Sequence, residues 1–110
     1  MTDRLYFKFQ SIVEDAQIRL NVDRDALALL DVIASCADEG LEPLSVTEAM
    51  SLKEIASPAT VHRKLNLLVA ANLVTHEYRD DNRRTKYLLP TAKARAYYAF
   101  LSQTIREISK

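Results

Sequence analysis

Ser57-Pro58-Ala59-Thr60-Val61-His62-Arg63-Lys64-Leu65 opens the segment whose reading decides the fold. Ser57 is a good N-cap, because its hydroxyl can accept from an unpaired backbone N–H of the first turn. Pro58 follows at the first helical position, where a missing N–H costs nothing. Val61, Leu65, Leu68 and Asn72 recur at i, i+4, i+7 and i+11, which predicts one buried stripe. Asn72 is placed to end it in the left-handed conformation usually given to glycine. The opposite face carries Ala59, Thr60, His62, Arg63 and Asn66: small, polar or cationic, with no acid among them. A helix with a dry back and a hydrogen-bonding front can enter the major groove of double-stranded DNA.

Downstream, Leu73-Val74-Thr75-His76-Glu77-Tyr78 reads as a strand and Thr85-Lys86-Tyr87-Leu88-Leu89 as its returning partner. Between them Arg79-Asp80-Asp81-Asn82-Arg83-Arg84 is a polar turn. Helix, strand, basic hairpin, strand is the order of a winged helix-turn-helix. Arg79, Arg83, Arg84 and Lys86 stand where a wing would meet phosphates or a minor groove. One of Arg83 and Arg84 is expected to pair with Asp80 or Asp81 and shape the turn, the other to face DNA. The expected class is mainly α with a small β-hairpin (α+β).

Four groups of residues carry a resemblance: Ser57 with Thr60-Val61-His62-Arg63, then Ala71-Asn72-Leu73-Val74, Asp81-Asn82-Arg83-Arg84, and Thr91-Ala92-Lys93-Ala94-Arg95. Together they resemble the MarR-like winged-helix transcriptional regulators. The likeness covers about half the chain by motif and the rest by helix order. Asn72 and Ala94 stand where that family usually has glycine, and Lys64 where it prefers an apolar residue. The resemblance implies a DNA-binding regulator, with Ser57, Ala59, Thr60, His62, Arg63, Lys64 and Asn66 on the reading helix. Arg63 and His62 are the expected base contacts. Ser57 and Thr60 are expected to hold phosphate or cap the helix, and Lys64 to reach a phosphate from the rim.

Upstream, Leu5 to Leu20 reads as a first helix with Leu5, Phe9, Ile12, Ala16 and Leu20 on one stripe, while Tyr6, Phe7 and Ile18 fall off it. Asn21-Val22-Asp23 breaks the pattern and supplies a cap. A second helix, dense in Ala, Leu and Ile, runs to about Asp38 and stops before Gly40, the only glycine. Leu41-Glu42-Pro43-Leu44 is an extended link that can border the wing sheet. Ser45-Val46-Thr47-Glu48 matches a capping box and opens a short helix through Ala49 and Met50. After Pro90, Thr91 caps a last helix with Ala94, Tyr98, Leu101, Ile105 and Ile108 at spacings of 4, 3, 4 and 3.

A chain of 110 residues fits one domain. Residues 45–89 form its helix-turn-helix and wing, and 1–22 and 91–110 are the expected dimerisation helices. A two-fold homodimer would place two reading helices about 34 Å apart, one DNA turn. Net charge is zero, but it is unevenly spread. Residues 1–56 hold five Lys/Arg against eleven Asp/Glu, and residues 57–95 hold eight against three. The local field of the reading unit is therefore basic.

No apolar run suggests a membrane span, and the opening residues do not read as a secretory signal. The single cysteine, Cys36, excludes an internal disulfide, reads as a core thiol and fits a reducing cytoplasm. His62 and His76 lack metal-ligand spacing, and one glycine nearly forbids a phosphate loop, so no metal, cofactor or catalysis is expected. The expectation is a repressor that occludes a promoter. The alternative is a winged helix used only to bind other proteins. Exposed aromatics on residues 57–66 would favour that reading, and there are none. Regulators of the resembled family often take small anionic or aromatic molecules, so a small-molecule effector is a further expectation, with Tyr6, Tyr97, Tyr98 and Phe100 as lining.

Overall fold

The computed structural model describes residues 2–38, 40, 42–78 and 84–109. In chain order the elements are α1 (Thr2–Leu20), α2 (Arg24–Asp38), α3 (Val46–Met50), α4 (Pro58–Ala70), β1 (Val74–Tyr78), β2 (Lys86–Pro90) and α5 (Ala92–Ile108). Among the described residues the chain is mainly helical with one antiparallel hairpin.

Local chemistry sets the helix ends. Asp23 Oδ1 accepts the Ala26 N–H at 2.9 Å and starts α2. The Ser45–Glu48 capping box forms with both of its bonds and starts α3. Thr91 Oγ1 accepts from the Ala94 N–H at 3.2 Å and starts α5. At the other ends, Asn21 (φ 58°), Gly40 (φ 70°) and Asn72 (φ 60°) take the left-handed conformation that turns the chain out of α1, α2 and α4.

α2 is the centre of the core. Its Leu29, Leu30 and Ile33 are fully buried, together with Val61 and Leu68 of α4, Leu73, and Leu88 of β2. Helix α4 packs against α2 and α3, and β2 packs against α2. β1 and β2 pair in a register that sets Val74 opposite Pro90, His76 opposite Leu88 and Tyr78 opposite Lys86. The link before α3 borders the other edge of β2: the Leu88 N–H donates to the Leu44 carbonyl at 2.8 Å, and Ser45 bridges Tyr87. The extended link therefore does join the wing sheet, and Tyr87 Oη anchors it further by donating to Glu42 Oε1 at 3.0 Å.

α5 departs from the expected seam. Tyr97 and Thr104 are buried with Ala94, whereas Ile105 is 52% exposed and Tyr98 half-buried. The reason is that α5 has neighbours on two sides. It packs along α1 and against β2, and Tyr98 reaches α2, where its hydroxyl donates to Asp31 Oδ1 at 2.5 Å. The two adjacent tyrosines also meet edge to face, 4.9 Å between ring centroids.

α1 is covered only toward its C-terminus. Leu20 is buried and Ala16 packs on the core, but Leu5, Tyr6 and Phe7 are exposed. The radius of gyration is 15.4 Å, against about 13 Å for a compact chain of this length. The excess belongs to an elongated body, 56 × 27 × 22 Å.

Candidate nucleic-acid interface

α4 is built from both ends. Ser57 Oγ accepts the Thr60 N–H at 3.4 Å, and Pro58 occupies the first helical position. Ala71 closes the helix, and Asn72 turns the chain into β1. Val61, Leu65 and Leu68 face the core, which leaves Ala59, His62, Arg63 and Asn66 exposed on one side. These four lie at spacings of three and four, so they form a single surface. Thr60, on its edge, is half-buried.

The polar side chains of that surface bind one another. Ser57 Oγ donates to Thr60 Oγ1 at 3.1 Å, and Arg63 Nη2 donates to the same oxygen at 3.2 Å. One turn on, Asn66 Nδ2 lies 3.4 Å from His62 Nδ1. In the tautomer where Nδ1 accepts, Nε2 carries the proton and offers it outward. The surface therefore displays a guanidinium, an imidazole and an amide, each with one contact already made and others left to give.

Lys64 is placed differently from its neighbour Arg63. Its Nζ donates to Asp23 Oδ2 at 2.7 Å, in an ion pair between α4 and the cap of α2. The bond from Lys64, followed by that from the Ala26 N–H, holds the Asp23 carboxyl below its ordinary value of 3.8.

On the wing, Arg84 and Lys86 are exposed. Lys86 Nζ stands 6.0 Å from the centroid of the Tyr78 ring, within cation–π range. Arg79 and Arg83 lie outside the described residues, as do Asp80 and Asp81, with which one of the wing arginines was expected to pair.

α5 grips the exit of α4. The Thr91 N–H donates to the Leu73 carbonyl at 3.0 Å, Thr91 Oγ1 to the Asn72 carbonyl at 2.7 Å, and Lys93 Nζ to the Ala71 carbonyl at 2.9 Å. Residues 71–73 thus have their carbonyls satisfied from one helix turn. Sequence reading recognised Thr91 as a cap but missed this second use of it, and it missed the role of Lys93.

Two clefts flank α5. One, of about 450 Å³, lies against α1 and is lined by Ile12, Ala16, Arg19, Lys93, Tyr97 and Phe100 among others. The second, of about 600 Å³, lies against α2 and includes Asp31, Arg95 and Tyr98. The expected aromatic lining is split between them, and Tyr6 is in neither. Among the described residues no three of His, Cys, Asp and Glu cluster to hold a metal ion, and no helix is long and apolar enough to cross a membrane.

Three solved structures share this arrangement. Staphylococcus aureus MarR, in complex with salicylate and kanamycin, superposes with a TM-score of 0.60 at 20% identity, over 96% of this chain and 67% of that one. The YusO protein of Bacillus subtilis gives 0.61 at 20% identity, over 98% and 72%. The chain has the MarR-like winged-helix fold. A MarR-family transcriptional regulator from Silicibacter pomeroyi agrees, at 0.53 and 20% identity, over 98% and 68%. No protein-family model matches the chain, and no curated protein matches it. In the MarR-like fold, α3 and α4 are the helix-turn-helix pair and β1–β2 the wing.

Proposed function

We propose that the chain is a sequence-specific transcriptional regulator of double-stranded DNA, a repressor that acts as a homodimer by covering its promoter. The observation that carries this is the exposed, acid-free face of α4, with Ala59, His62, Arg63 and Asn66 side by side. Arg63 would read guanine bidentately and His62 would add one bond. Arg84, with Lys86 behind it, would meet phosphate beside the groove, together with Arg79 and Arg83. The basic excess of residues 57–95 supports the same reading, because it concentrates charge where phosphate would lie.

The test is fluorescence anisotropy with mixed-sequence duplex DNA across a salt series. The wild type is expected to bind, with log K falling linearly in log[salt] by about 0.9 per phosphate. Arg84→Ala should reduce that slope by about one contact, and Arg63→Ala should weaken binding to a selected operator by roughly tenfold or more, from about 1–3 kcal/mol of base contact. No binding at about 50 mM salt, where counterion release favours it most, would count against DNA and toward a protein-docking winged helix.

A small-molecule effector is a second proposal, favoured by the cleft between α1 and α5. Arg19 and Lys93, the latter also donating to the Ala71 carbonyl, set two cations against one acid, Asp15, beside Tyr97 and Phe100 there, a net positive lining that suits an aromatic carboxylate. The S. aureus structure of the same fold carries salicylate. Salicylate is expected to raise the melting temperature of the wild type and not of Arg19→Met. Equal shifts in the two proteins, or none, would remove this cleft from consideration.

A further inference from the structure

α4 carries two adjacent cations, and the structure treats them oppositely. Arg63 is on the exposed face and, among the described residues, bonds within α4, to Thr60. Lys64 is bent away. Its stem lies against the body of the protein, with 21% of the side chain exposed, and its ammonium is bound to a carboxylate from outside the reading unit.

That carboxylate, Asp23, uses its two oxygens separately. Oδ1 caps α2 through the Ala26 N–H at 2.9 Å, and Oδ2 takes the Lys64 ammonium at 2.7 Å. Any N-cap acceptor would serve the first bond, and Asn, Ser and Thr do so elsewhere. Only a charged residue neutralises the ammonium. An exposed ion pair contributes little to folding, so stability alone gives weak grounds for an acid at this position.

Its effect on DNA binding would be larger. Lys64 follows Arg63 on the second turn of α4, on the same flank as Thr60. A free ammonium there would stand at the rim of the groove that α4 enters, within reach of backbone phosphate. Such a contact adds affinity for every sequence alike and no discrimination between bases.

We infer that Asp23 is a specificity-determining residue: its ion pair with Lys64 withholds an ammonium from the DNA backbone and leaves Arg63 as the cation of α4 that meets the duplex. The inference rests on the DNA-binding reading above. It implies that removing a negative charge from the α2 cap raises non-specific affinity at the expense of sequence preference.

The experiment uses the full chain, a mixed-sequence 30-base-pair duplex and a salt series, with Asp23→Asn, Lys64→Met and the double variant. Asparagine keeps the cap of α2, and methionine keeps the packed stem without its charge. Matching melting temperatures and circular dichroism spectra establish that each variant folds. Asp23→Asn is expected to steepen the salt slope by about 0.9 and to bind the duplex roughly tenfold more tightly at about 50 mM salt. Lys64→Met alone should leave the slope where the wild type has it, and added to Asp23→Asn it should cancel the gain. An unchanged slope in Asp23→Asn would overturn the inference. So would a slope lowered by one contact in Lys64→Met, since Lys64 would then already be on phosphate. If neither the wild type nor Asp23→Asn binds at about 50 mM salt, the DNA reading and the inference fail together. If the wild type binds and the slopes do not move, the inference fails alone.

Discussion

Tyr98 shows how one side chain ties α5 to α2. Its hydroxyl donates to Asp31 Oδ1, and burial, then the neighbouring carboxylate, push the phenol pKa upward. A folded-state pKa raised above the unfolded value, about 10, adds stability that is fully present below that value. The contribution is lost as pH climbs above it, because only the unfolded chain releases the proton easily. Tyr98→Phe should therefore cost about 1 kcal/mol at pH 7. The gap between variant and wild type should narrow above about pH 10. Urea unfolding at neutral pH and at about 10.5 checks this, and an equal gap at both would show that folding does not raise the phenol pKa. Lys64 teaches the complementary lesson. Apolar spacing does not reveal that its ammonium goes to Asp23, since the partners lie 41 positions apart and each has an adequate local explanation.

At the scale of elements, the exit of α4 is the most exacting point. Asn72 has φ 60°, where a Cβ costs roughly 1–2 kcal/mol for residues other than Gly, Asn and Asp. Asn72→Ala is expected to destabilise by about that much, while Asn72→Gly should be neutral or slightly stabilising. Thermal melts of the two variants decide it, and equal melting temperatures would show that the turn does not need the left-handed residue. Such features were legible because they are local: the Ser57 cap, the Ser45–Glu48 box, Thr91 and the left-handed Asn72 each depend on residues at most four apart. The buried stripe of α4 was legible for the same reason, and with it the exposed face of Ala59, His62, Arg63 and Asn66. α5 was less so. Helical spacing alone cannot choose between Tyr97 and Tyr98 when the helix has neighbours on two sides, and the packing selected the one that spacing passed over. Arg79 and Arg83 remain proposals from the sequence, outside the described residues.

At the scale of the whole molecule, Leu5, Tyr6, Phe7 and Ile18 of α1 and Phe100 and Ile105 of α5 leave a long apolar exterior on the two terminal helices. A second copy would cover part of it, in keeping with the proposed homodimer. Light scattering at tens of micromolar is expected to give twice the mass of the chain. Phe7→Glu should give a folded monomer, because Phe7 is exposed and the core does not use it. A monomeric wild type would sink the dimer. Should the dimer hold, the grip of Thr91 and Lys93 on residues 71–73 acquires a mechanical meaning. The rod that meets the partner is the same rod that clasps the tail of the reading helix. The pair would then behave as a caliper with stiff jaws. Inserting one base pair between half-sites turns one of them by about 34° around the duplex. A caliper of this kind could follow that rotation only if the DNA between the half-sites untwists, so helical phase, as much as base sequence, would select its operators.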